Sequence, residues 1–132
     1  MQVNSTNNVS FGAKILKSNA LTSAINVAKK DYESGTKEGI KRASEFYNYL
    51  RTMENDKSAD YFFIDTNPYN YYPYMRLGRN TRLLEFFGNS ENDLAHTVIR
   101  GVKKLVEGKY LKTEIADEAK GQDLFKAFDK WI

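Results

Sequence analysis

The chain contains no cysteine, which removes disulfides, thiolate nucleophiles and cysteine-ligated metal centres from consideration. It holds a single histidine, His96, so motifs that pair two imidazoles on a metal have nothing to build on. Eight glycines are scattered as caps and turns. None belongs to a GxxxxGK[ST] or GxGxxG run, which excludes a P-loop. No segment approaches the roughly 18 apolar residues of a membrane span. The polar start MQVNSTNNVSFGAKIL has no apolar centre of a secretory signal, and a cytoplasmic location is the default expectation. The net charge of +3 permits contact with a polyanion but does not demand it.

What is present suits a packed domain. An apolar fraction of 41% with 14% aromatics in 132 residues is enough for one core and leaves little room for a second. The reading is a single globular domain over 1–132, with residues 1–8 as a flexible polar N-terminus. The fold class expected is mainly α, with four to five packed helices and a short aromatic β-hairpin. An α+β fold around a small antiparallel sheet is the alternative.

Periodicity supplies the elements. VSFGAKI alternates Val9, Phe11, Ala13 and Ile15 against polar or small residues, the period of a half-buried strand and equally that of an extended tail packing one or two side chains. From Asn19 the apolar spacing turns helical through Leu21, Ile25, Ala28 and Tyr32, with Ser18 or Asn19 as cap and Gly35 as stop. A second helix is expected from Thr36, carrying a stripe of Ile40, Ala43, Tyr47 and Leu50 widened by Phe46 and Met53. Asn80 or Thr81 is placed to cap a short helix through Leu83, Leu84 and Phe87, closed by Gly88. Ser90 and Asp93 approximate a capping box before the broad apolar face of Leu94, Ala95, Val98, Ile99, Val102, Leu105 and Val106. Leu124, Phe125, Phe128, Trp131 and Ile132 share a face of a terminal helix.

Seven aromatic residues fall between Tyr61 and Tyr74. YFFI is β-prone, NPYN has the residues of a type I turn, and YYPYMR returns as the second limb. Pro73 cannot donate to a ladder, so this limb is expected as an edge strand or an irregular extended segment. Beyond it, Arg76, Arg79 and Arg82 surround Gly78 just before the helix expected at Thr81. Free N–H groups at such a terminus, together with arginine forks, favour phosphate or carboxylate. Tyr69, Tyr71, Tyr72 and Tyr74 beside Arg76, Arg79, Asn80, Thr81 and Arg82 therefore make the candidate partner- or anion-binding surface.

Catalysis has less to recommend it. His96 falls on the side of its helix shared with Arg100 and Lys103, with no Ser or carboxylate partner assignable. Glu114, Asp117 and Glu118 at i, i+3 and i+4 fit a solvated acidic face better than a cation site. DTNPY from Asp65 departs from a calcium loop at its fifth and sixth positions. No cofactor and no metal site are expected. The function expected is a non-catalytic binding or protein-interaction module, its partner another protein or a second copy of the chain. RNA or single-stranded DNA binding through the tyrosines and the arginine triad is the alternative, since base stacking contributes about 1–3 kcal/mol per base.

Overall fold

The computed structural model describes residues 13–57, 59–66, 73–77, 82–85, 93–108, 111 and 121–132. Strand β1 (Lys14–Ile15) leads into helices α1 (Asn19–Glu33) and α2 (Lys37–Glu54). Strands β2 (Tyr61–Thr66), β3 (Pro73–Leu77) and β4 (Arg82–Glu85) follow, then α3 (Leu94–Glu107), α4 (Leu124–Ala127) and a 3₁₀ turn (Phe128–Trp131). The protein is mainly helical with a small mixed sheet in the order β1-β2-β3-β4. Only the β1–β2 pair is parallel; β2–β3 and β3–β4 are antiparallel.

Each helix starts where a side chain satisfies an orphan backbone donor. Ser18 Oγ accepts from Leu21 N at 3.1 Å, Thr36 Oγ1 from Gly39 N at 3.0 Å, and Asp93 Oδ1 from His96 N at 3.1 Å. The expected capping box therefore resolves to Asp93 as the cap residue. Between α1 and α2 the chain turns through Gly35 at φ 71°, a left-handed conformation that glycine adopts without strain. Gly39 lies under this turn. A Cβ there would stand 2.4 Å from the Asp31 carbonyl oxygen, so glycine permits the close approach of the two helices.

One contiguous core joins the inner faces of α1, α2 and α3 to the sheet. Phe62, Ile64 and Met75 are fully buried, and Ala13 and Ile15 are buried about the exposed Lys14, as the period of a half-buried strand requires. The C-terminal segment seals one end. Phe128 meets the edge of Tyr47 at a ring distance of 5.4 Å and stacks on Phe46 at 6.1 Å, and Trp131 lies 5.4 Å from Tyr47. Glu54 fixes this docking, its Oε2 accepting from Trp131 Nε1 at 2.9 Å and its Oε1 from Lys130 Nζ at 3.1 Å.

Several expectations are corrected. Residues 82–85 form a strand, not a helix, because Leu77 to Tyr74 offer a free strand edge that a four-residue segment completes. The helix that Asn80 or Thr81 was expected to cap is thus replaced by β4, while residues 78–81 of GRNTR lie outside the described residues. The hairpin limb carrying Pro73 is internal, with β4 on its far side. Pro73 is tolerated as the first residue of the strand, where a missing donor interrupts little of the ladder. Ile40, placed in the apolar stripe, is 39% exposed; α2 turns Gly39, Ala43, Phe46, Tyr47, Leu50 and Met53 inward instead. Leu94 and Ile99 do pack against the core, as their place in the apolar face implied, but like Ala95 they are only half-buried, since α3 buries Thr97 and Gly101 beside Val98 and Val102.

Candidate functional site

The sheet has two unlike rows of residues. Phe62 and Ile64 on β2 and Met75 on β3 are fully buried, whereas Tyr61, Phe63, Asp65 and Tyr74 are half-buried. Successive strand residues alternate faces, so these four share the side away from the core. The antiparallel register extends that side across the sheet. Phe63 pairs with Arg76 and Arg76 with Leu83; Asp65 pairs with Tyr74 and Tyr74 with Glu85. The Tyr74 hydroxyl donates to Asp65 Oδ2 at 3.4 Å, a long bond across one of these pairs.

The register also divides the proposed arginine triad. Arg76 has the strand parity of Tyr74, while Arg82 is the partner of Leu77, which pairs with Phe62. The two arginines thus occupy rows of opposite parity. Tyr69, Tyr71, Tyr72, Arg79, Asn80 and Thr81 lie outside the described residues, as does the acidic trio Glu114, Asp117 and Glu118. Tyr74, Arg76 and Arg82 are therefore the only candidates among the described residues, and by backbone register the first two have the same strand parity.

A second feature lies on the helices, away from the sheet. Ala28 and Asp31 of α1, Arg42, Glu45, Phe46 and Tyr49 of α2, and His96, Ile99, Arg100 and Lys103 of α3 line a cleft of about 240 Å³. At one lip Arg42 grips Asp31 through two hydrogen bonds, Nε to Oδ2 at 3.2 Å and Nη2 to Oδ1 at 3.1 Å. At the far end the Tyr49 hydroxyl donates to Glu107 Oε2. Burial, and then this carboxylate, push the Tyr49 pKa well above that of an ordinary tyrosine. His96 is exposed, and its Nδ1 meets Asp93 Oδ2 at 2.5 Å, supplying the carboxylate partner that could not be assigned from the sequence. The Asp93 carboxyl is held below its usual range, first by the His96 backbone N–H and then by the His96 ring.

No family model matches the chain, and no curated protein or solved structure is detectably similar to it. Its chemistry is therefore read from these two features alone. Among the described residues no group of His, Asp and Glu is arranged to hold a metal ion, and no helix is long and apolar enough to cross a membrane.

The cleft does join His96 to other polar groups, the condition an enzyme would need. Its lining, however, contains no Ser or Thr among the described residues, and its tyrosine hydroxyl is already committed to Glu107. What the described lining supplies is charged groups around an apolar floor, an arrangement that can bind and orient a small molecule. Sequence reasoning placed His96, Arg100 and Lys103 together on one side of α3. It missed the facing wall of Arg42, Glu45 and Tyr49, whose only signal was their i, i+3, i+7 spacing along α2.

Proposed function

We propose that the protein is a non-catalytic interaction module that uses the outer row of its sheet, around Tyr61, Phe63 and Tyr74, to contact a protein surface. The observation that carries this reading is the split burial of the hairpin aromatics. Phe62 is fully buried, while its neighbours Tyr61 and Phe63 and the cross-strand residue Tyr74 remain half-buried. Aromatic residues, with arginine, dominate interface hot spots because they bring large rigid area at low entropic cost.

A second copy of this chain is the partner that the row favours. By backbone register Asp65 and Glu85 are the partners of Tyr74, and Arg76 is the partner of Phe63, so residues of both charge signs occupy positions of the aromatic row. A two-fold contact of such a row with itself can match each sign to its opposite. The nucleic-acid reading draws less support, because Arg76 and Arg82 fall in rows of opposite parity and residues 59–75 carry two acidic groups and no basic one. Phosphate neutralisation is the main source of affinity for nucleic acid.

Sedimentation velocity over rising protein concentration tests this directly. The expected result is a dimer whose dissociation constant rises at least tenfold in both Phe63→Ser and Tyr74→Ala. A chain that stays monomeric throughout, or a dimer indifferent to both changes, would overturn the reading. Titration of labelled single-stranded RNA at two salt concentrations addresses the alternative, which requires binding that weakens steeply with salt.

A further inference from the structure

The helical cleft is independent of the sheet row and is built from two ridges of matching spacing. Arg42, Glu45 with Phe46, and Tyr49 face His96, Ile99 with Arg100, and Lys103. Both follow the i, i+3/i+4, i+7 repeat of one helix side, and the Tyr49–Glu107 hydrogen bond ties α2 to α3 at the far end of the cleft. Packed helices ordinarily close such ridges into each other's grooves. Here an apolar floor of Ala28, Phe46 and Ile99 is left beneath an opening, with Ile99 only half-buried.

The charges around that floor are not equivalent. Arg42 is neutralised by its paired bonds to Asp31. Arg100 gives one donor to Thr97 Oγ1 at 3.2 Å and keeps the rest of its fork. Lys103 makes no hydrogen bond or ion pair among the described residues, although it lines the cleft. The Nδ1 of His96 is taken by Asp93, leaving Nε2 for a ligand. Opposite stands the Glu45 carboxylate, also without a hydrogen-bonding partner among the described residues. It would oppose a second negative charge at short range.

We propose that this cleft binds a small organic monoanion, a carboxylate on an aromatic or branched aliphatic body, with the carboxylate held by Arg100 and Lys103 and the body laid against Ile99, above the buried Phe46. Two cations against one uncommitted carboxylate favour a single negative charge, and an arginine fork matches the two oxygens of a carboxylate. The small volume limits the body to about one ring, and its apolar floor selects against a fully hydrated anion.

The test is a set of ligand titrations followed through the Ile99 methyl and His96 ring signals by NMR. The probes are benzoate, phenyl phosphate, benzyl alcohol and benzylamine. Benzoate should shift both signals, with benzyl alcohol and benzylamine at least tenfold weaker and phenyl phosphate weaker than benzoate at a pH where it is a dianion. The double variant Arg100→Gln, Lys103→Gln changes two exposed positions and should weaken benzoate at least tenfold, with signals away from the Arg100 neighbours Thr97 and Asp93 unmoved. Glu45→Gln should raise the affinity for phenyl phosphate. The proposal is overturned if benzoate leaves Ile99 and His96 unshifted at millimolar concentration, if the alcohol or the amine binds as well, or if the double variant binds benzoate as the parent does.

Discussion

At the C-terminal end of α2, Phe128 and Trp131 fill the space beside Phe46 and Tyr47, whereas the other side of the same helix faces α3 across an open cleft. The two places are made from similar parts. Each has an apolar floor, a carboxylate of α2 and a lysine at its rim, and Phe46 serves both. In the first, the chain supplies its own ligand, since Trp131 brings a ring for the floor and an N–H for Glu54. In the second, Glu45 and Lys103 are left without such a ligand. The difference teaches that apolar spacing along a helix says which side is attractive, while tertiary packing decides whether that side becomes core or cleft.

Removing the closing residue should have the largest effect. Trp131 is fully buried, so Trp131→Ala should cost about 3–5 kcal/mol, the range for emptying an aromatic site, measured by urea unfolding. Glu54→Ala should follow at about 1–3 kcal/mol, because it strands the indole N–H without an acceptor. A loss below about 1 kcal/mol for Trp131→Ala would mean that the terminal segment only rests on the helices, and the contrast between sealed and open sides would fail.

Gly39 tests the framework that holds the open side in place. Alanine there meets the Asp31 carbonyl, the same residue whose side chain grips Arg42 at the cleft lip, and should cost about 1–3 kcal/mol by overpacking. Gly35→Ala has nothing within 4 Å of the new Cβ, and should cost about 1 kcal/mol through its left-handed backbone alone. Thermal melts of the pair separate crowding from conformation. Equal shifts would show that the helices can part at Gly39 without penalty.

How far the sequence foretold these places follows from the range of the forces involved. Ser18, Thr36 and Gly35 were legible because caps and left-handed turns are written within four residues. RLLE was not, since Leu83, Leu84 and Phe87 suit a helix locally and become strand only through pairing with β3, a non-local choice. Pro73 was misread for the same reason: its missing donor was visible, the strand beyond it was not. Of the candidate surface, the parity of Tyr74 and Arg76 was implicit in YYPYMR, but the opposite parity of Arg82 depended on the register of a strand not foreseen. The cleft needed α2 and α3 side by side, which no helical repeat states.

Tyr49 offers a weaker probe, specific to the far end of the cleft. Burial and Glu107 raise its pKa in the folded protein, so between the ordinary tyrosine value near 10 and the raised one the unfolded chain has lost a proton that the native chain keeps. Stability contributed by this group is complete below about pH 10 and declines as pH rises through that window. Tyr49→Phe should flatten the fall in melting temperature between about pH 9.5 and 11 relative to the parent. Parallel curves would mean that the hydroxyl is open to water, and that the cleft extends past it.

A small difference between two neighbouring residues of α3 discriminates best between the two sides of the comparison. Val98 is fully buried and Ile99 half-buried. Val98→Ala should cost about 2 kcal/mol, two carbons of transfer energy plus the void left behind. Ile99→Ala removes one carbon more, yet should cost only about 1 kcal/mol, since part of its surface is already wet and water fills the space without a void. Alanine's helix propensity favours both variants alike, so the inversion cannot come from the backbone. If urea unfolding instead ranks Ile99→Ala as the costlier change, Ile99 is core in solution, something covers the cleft, and the side now read as open is as closed as the one sealed by Trp131.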